Sequence, residues 1–175
     1  LLLTGQRRQE IAGVTADEID LERRVWIIPT SRSKNKEPHE VALSDQTIDI
    51  IKSLPRISSE GLLFTSTGLT PISGYSRSKR RLDDLMLSAA KEGAANPKKV
   101  QIAAWTRHDL RRTVASGMAA LGIAPHIVEA VLNHKSGTIR GVARVYNRHR
   151  YEVEKRDALE AWARYVAALV ESGAP

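Results

Sequence analysis

The 175-residue sequence predicts a mainly α-helical chain with a small antiparallel β-sheet near its N-terminus, an α+β arrangement. Two observations carry this. Between Asp17 and Leu43 the apolar residues are largely β-branched or aromatic and come in short runs, as half-buried strands require. From Ser44 onward they recur at three- and four-residue spacing behind capping residues, the pattern of amphipathic helices.

In chain order, Leu1 to Leu3 read as the end of a helix stopped by Thr4-Gly5, and Arg7 to Val14 as a short helix. Asp17–Leu21 and Arg24–Pro29 read as strands, Thr30–Pro38 as a polar loop and Glu40–Leu43 as a third strand. Ser44 is a suitable N-cap for a helix through Ile48, Ile51 and Leu54 that ends at Pro55. Leu62-Leu63-Phe64 could form a small strand. Tyr75–Lys91 reads as a helix with Leu82, Leu85 and Met86 inward and Arg77, Lys79, Arg80 and Arg81 early in it. Further helices are expected at Thr106–Leu121, Ala124–Leu132, Val142–Arg150 and Glu152–Glu171, with a break at Gly137–Gly141. Leu159, Trp162, Val166 and Leu169 give the last helix an apolar stripe.

Composition narrows the function classes. At 42% hydrophobic and 27% charged residues the chain is globular rather than disordered, and it is long enough for one domain with a real core. It has no cysteine, which excludes a disulfide framework and thiolate metal sites. No apolar run approaches the ~20 residues of a membrane span, and no signal peptide is visible, so no membrane partner and an intracellular location are expected. The net charge of +7 suits a polyanionic partner, nucleic acid first. The chain opens without Met, at what reads as the end of an apolar helix. Residues 1–175 are therefore expected to be one domain of a longer, N-terminally truncated protein.

Several residues could carry phosphate chemistry. His108 and Arg111, three apart on a helix, share one face. A histidine can move a proton, and a guanidinium can fork two phosphate oxygens. Arg7 is a second arginine able to clamp the charge that develops on a transferring phosphoryl group. Lys34, in the loop between the second and third strands, could protonate a leaving alkoxide, with Lys36 as its competitor. His134, after a helix, could donate to a phosphate oxygen. Tyr146 has a phenol that becomes a nucleophile only once its proton is taken or its anion stabilised, and Arg144, Arg148 and His149 surround it in sequence. The five histidines form no i, i+4 pair, and no carboxylates cluster beside them, so no metal or other cofactor is expected.

Taken together, Thr4-Gly5-Gln6-Arg7-Arg8-Gln9-Glu10, the loop lysine, His108-Asp109-Leu110-Arg111, Leu132-Asn133-His134 and Val145-Tyr146 resemble the catalytic domain of the tyrosine recombinase (phage integrase) family. Arg7 matches the first family arginine, Lys34 the hairpin lysine, and His108 and Arg111 the His-x-x-Arg pair. His134 matches the next histidine and Tyr146 the nucleophile. Arg8, Arg112 and Tyr151 are neighbours not to be confused with them. Two departures stand out: the segment between His134 and Tyr146 is longer than in many members, and Asn133 occupies a position where Gly is common.

The resemblance implies the family's catalytic-domain fold and site-specific DNA recombination. Tyr146 would attack a scissile phosphate of double-stranded DNA, giving a 3′-phosphotyrosyl link and a free 5′-hydroxyl without ATP or metal. Arg7, Arg111 and His134 would hold the phosphate, His108 would assist proton transfer, and Lys34 would protonate the leaving oxygen. It also implies a missing upstream DNA-binding domain, a homo-tetramer on DNA with the last helix contacting a neighbour, accessory DNA-bending proteins, and a place at the bacterial nucleoid. Two rivals remain. One is a helix-turn-helix-like binding module at Ala115–His134, which leaves Arg7, Lys34 and Tyr146 unexplained. The other is a type IB topoisomerase-like enzyme, which would relax DNA without exchanging strands.

Overall fold

The structure, a computed structural model, describes residues 1–58, 61–134 and 149–173. Its sheet is a meander of three antiparallel strands: β1 (Ile19–Asp20), β2 (Val25–Ile28) and β3 (His39–Ala42), with β2 in the middle. Trp26 stands opposite Ile19 on one side and Val41 on the other, and Ile28 stands opposite His39. The first strand is shorter than expected because Ala16–Glu18 coils into a 3-10 turn. That turn directs the Glu18 carboxylate to the Trp26 indole N–H, 3.0 Å away, and to Arg32.

The helices follow the cap chemistry. A turn over the first residues closes with the Gly5 N–H donating to the Leu1 carbonyl (2.9 Å), and α1 (Arg8–Ala12) begins shortly after it. The Ser44 hydroxyl caps α2 (Asp45–Ser53) by accepting from the Thr47 N–H. The Leu62–Phe64 run makes only an isolated bridge to Thr15 rather than a strand. In α4 (Arg107–Ala120) Asp109 reaches back to the Thr106 N–H (2.7 Å) and hydroxyl (2.8 Å), a reciprocal cap. After a turn through Gly122 comes α5 (Pro125–Val131), and α6 (Glu152–Glu171) ends the described chain.

One expected helix sits differently. α3 (Tyr75–Glu92) forms, but it buries no side chain, and Leu82, Leu85 and Met86 are exposed rather than inward. Lys79, Asp83 and Leu87 face the 100–105 segment instead, so the apolar residues between them point to solvent. The helix is held by polar contacts: the Trp105 indole donates to Asp83 (2.8 Å), and Lys79 binds the same carboxylate.

The core lies where the sheet, α4, α5 and α6 meet, with Val114, Met118, Val131, Leu132, Leu159 and Trp162 nearly inaccessible. Of the apolar stripe on α6, Leu159 and Trp162 are buried within the chain and Val166 partly so. The indole is buried and donates to the Leu2 carbonyl at 2.8 Å, while Leu169 and Val170 at the helix end stay exposed. Among the described residues no helix is long and apolar enough to cross a membrane.

α4 and α6 approach closely at Gly117, where an added Cβ would overlap the Trp162 indole. Gly117→Ala should therefore destabilise the fold by about 1–3 kcal/mol, against alanine's helix-propensity advantage of ~1 kcal/mol. Urea unfolding of the two proteins measures the sign.

Candidate active site

Two arginines from distant parts of the chain meet at the C-terminal end of α5. Arg111 projects from α4 and is only 6% exposed. It donates to the Gly5 carbonyl at 2.6 Å and to the Leu132 carbonyl. Gly5 permits this approach: its φ of +63° is left-handed, and a Cβ there would come within 2.7 Å of Leu132. Arg7, the N-cap of α1, places Nη1 3.0 Å from Glu10 Oε1 and Nη2 3.5 Å from the Asn133 carbonyl. The other Glu10 oxygen accepts the Arg7 backbone N–H at 2.9 Å. Asp109, a possible partner for Arg111, binds the start of α4 and Arg112 instead.

Packing two guanidiniums together has an electrostatic cost. Burial, and then the positive charge of Arg7, lower the Arg111 pKa to about 10, while buried Glu10 opposes the shift. Arg111 remains cationic at neutral pH, and an anion entering beside it relieves the repulsion.

Arg7 and Arg111 line one cleft of about 540 Å³ together with Lys34 and His108. Four of the residues singled out in the sequence thus converge from α1, the β2–β3 loop and α4. Lys36 lies outside the cleft lining. Arg8 and Arg107 also line it, two residues that the sequence pattern alone does not single out. What signal there is lies in position, since each sits beside a candidate residue at the start of a helix. His134 is exposed at the end of α5, within electrostatic reach of Arg111, Arg7 and His108. Partial burial and those arginines push its imidazole below the ordinary histidine range, so it is neutral at pH 7 and can donate one N–H. Tyr146 and the segment preceding it lie outside the described residues.

The sequence model of the phage integrase family matches residues 1–152. The chain belongs to the phage integrase family. It is 28% identical over 167 residues to prophage integrase IntA of Escherichia coli (strain K12), covering 95% of this chain and 37% of that protein. The fold resembles the integrase of mycobacterium phage Brujita (TM-score 0.63, 17% identity, 91% of this chain and 47% of that one). It also resembles the Tn1549 transposon integrase solved with a circular intermediate DNA (TM-score 0.58, 17% identity, 77% and 48%). XerA recombinase is a further neighbour (TM-score 0.52, 17% identity, 95% and 53%). The chain spans about a third to a half of the length of these relatives.

Asn133, where the resemblance leads one to expect Gly, has surroundings that suit an asparagine. Its φ is +51°, a left-handed backbone that Gly adopts freely and Asn tolerates best among the rest. The side chain adds what Gly lacks. Asn133 Oδ1 accepts from Asn35 Nδ2 at 2.8 Å, the Asn133 carbonyl accepts from the same group at 2.8 Å, and Asn133 Nδ2 donates to Ser33 Oγ at 3.4 Å. Ser33 and Asn35 flank Lys34, so Asn133 ties down both sides of the loop that carries the lysine. Tyr151, the near neighbour of Tyr146, is packed against the core beside His126 and His149.

Beneath the arginines, His39 Nε2 donates to the Val131 carbonyl at 3.2 Å. Burial, then the positive charge of Lys155, lower its pKa from 6.5 to about 4. It is folded in as the neutral form.

Two outcomes follow from this geometry. Asn133→Gly keeps the backbone and removes the side-chain ties, so trypsin should cut after Lys34 and Lys36 several-fold faster than in the parent while global stability changes by about 1 kcal/mol or less. The His39 pKa is lower folded than unfolded, so the unfolded chain takes up the proton first as pH falls. The stabilisation is complete above pH 6.5 and is lost between pH 6.5 and about 4, on the order of 3 kcal/mol. His39→Gln, which keeps a donor for Val131, should flatten that slope in urea titrations.

Proposed function

We propose that this chain is the catalytic domain of a site-specific DNA recombinase that cuts and rejoins strands through a covalent phosphotyrosyl link. The observation that carries the reading is the convergence of Arg7, Lys34, His108 and Arg111 on one polar cleft, with His134 within electrostatic reach of both arginines. Four cationic or proton-moving groups around one space suit a single phosphodiester.

In this reading the Tyr146 oxygen attacks the scissile phosphorus and the bond to the 5′-oxygen breaks. A 3′-phosphotyrosyl ester and a free 5′-hydroxyl result. Arg7 and Arg111 clamp the non-bridging oxygens, whose charge rises in the transition state, and neutral His134 donates to one of them. His108 assists removal of the phenolic proton. Lys34, held at the cleft by the Asn133 ties, delivers a proton to the departing 5′-oxygen. The ester conserves the energy of the broken bond, so attack by another strand's 5′-hydroxyl reverses the chemistry without ATP.

Double-stranded DNA is the substrate, in keeping with the basic composition and with the DNA present in the Tn1549 integrase complexes. Four protomers acting on two duplexes, helped by DNA-bending proteins and an upstream DNA-binding domain, complete the assembly. Leu169 and Val170, exposed at the end of α6, offer a neighbour an apolar contact.

The test is trapping. The chain is incubated with a pool of nicked duplexes of randomised sequence, and DNA that precipitates with detergent-denatured protein is recovered. An adduct should form, vanish in Tyr146→Phe, and fall by about 10²–10³-fold in Arg111→Ala. An adduct that survives Tyr146→Phe, or a protein that binds duplexes without ever forming one, would overturn the reading.

A further inference from the structure

We infer that Arg8 and Arg107, braced on the ring of Tyr75, form a second phosphate-binding site beside the catalytic one and take up a neighbouring backbone phosphodiester of the same DNA. This rests on the DNA reading above and extends it to residues that the chemistry does not use.

The guanidinium carbon of Arg8 lies 4.9 Å from the Tyr75 ring centroid, and that of Arg107 lies 5.2 Å from it. Three elements meet there: α1, the first residue of α3 and the first residue of α4. Both arginines line the cleft that holds Arg7 and Arg111. An arginine held against an aromatic ring keeps its N–H donors for an anion while losing much of its conformational freedom beforehand. The cost of ordering a long side chain on binding is thereby reduced.

Neither guanidinium is neutralised by a close carboxylate among the described residues. Asp83 is within electrostatic reach of Arg107, but its oxygens are taken by Lys79 at 2.7 and 2.9 Å and by the Trp105 indole at 2.8 Å. Arg107 Nη2 is shielded from solvent and lacks a hydrogen-bond partner among the described residues. A buried guanidinium N–H without an acceptor is costly unless something supplies one. A phosphate oxygen entering the cleft is an acceptor of the right charge.

α3 gains a purpose from this. It buries no side chain of its own, yet Lys79 lies over the Trp105 ring at 4.4 Å and Asp83 binds the same indole. Those contacts fix the start of α3, and with it Tyr75, against the segment that leads into Arg107. The rival account is that the two arginines merely anchor this surface helix.

The experiment measures non-covalent binding of the Tyr146→Phe chain to a fluorescent duplex of arbitrary sequence across a salt series, so failure of the catalytic reading leaves it untouched. Each phosphate contact contributes about 0.9 to the slope of log affinity against log salt. Arg8→Ala and Arg107→Ala should each lower that slope by about 0.9, and the double variant by about twice that. Tyr75→Phe should bind as the parent does. Tyr75→Ala, which changes no charge, should bind several-fold more weakly. Unchanged slopes in both arginine variants, with a lower melting temperature, would assign them to anchoring α3 and overturn the proposal. Parent-like binding by a folded Tyr75→Ala would also overturn it. Should that variant not fold, Arg107→Lys decides: it keeps the charge but loses the stacked fork, and binding equal to the parent would count against the site. A parent chain that binds no duplex at all would sink the DNA reading and this one together.

Discussion

The carbonyl groups at the C-terminal end of α5 are the constraint on which the site depends. A helix leaves its last carbonyls without internal partners, and they carry the negative end of its dipole. Here each is used. The Val131 carbonyl accepts from Gln6 and His39, the Leu132 carbonyl from Arg111, and the Asn133 carbonyl from Arg7 and Asn35. Residues from the Gly5 turn, β3, α4, α1 and the hairpin loop are thus gathered at one short stretch of backbone. The basic cleft is a consequence of that gathering.

This arrangement resolves an electrostatic conflict. A pocket for a phosphodiester needs concentrated positive charge, but a buried guanidinium and a partly buried one repel each other while the pocket is empty. Neutral carbonyl dipoles and one buried carboxylate, Glu10, hold them in place without cancelling the charge fully. Glu10 is 2% exposed and binds both the backbone and the side chain of Arg7, so it serves geometry more than neutralisation. What remains is a preorganised cationic surface, which stabilises a developing anion better than flexible surface lysines would. The hairpin loop is tied to the same backbone through Asn133, so the lysine and the arginines share one frame.

The chain belongs to the phage integrase family, and two local features of its structure have local causes. Asn133 sits in a left-handed conformation, and its side chain offsets the backbone cost with hydrogen bonds to Ser33 and Asn35. The exposed apolar residues of α3 reflect a helix fastened by Tyr75, Asp83 and Trp105 rather than by an apolar face.

Much of the fold was decided by local chemistry that can be read along the chain. The Ser44 and Thr106 caps, the β-branched run at Val25–Ile28 and the apolar period of Glu152–Glu171 act over a few residues, so their meaning does not depend on what packs against them. The candidate residues Arg7, Lys34, His108, Arg111 and His134 were likewise visible as types at recognisable spacing. The tertiary structure alone decided which of them share a cleft, that Trp162 is spent within the chain, that Leu82 and Leu85 face solvent, and that Arg8 and Arg107 lean on Tyr75. Those outcomes turn on contacts between residues tens of positions apart, such as Arg111 with Gly5 or Asn133 with Asn35. No local period or cap encodes which helix face meets which carbonyl.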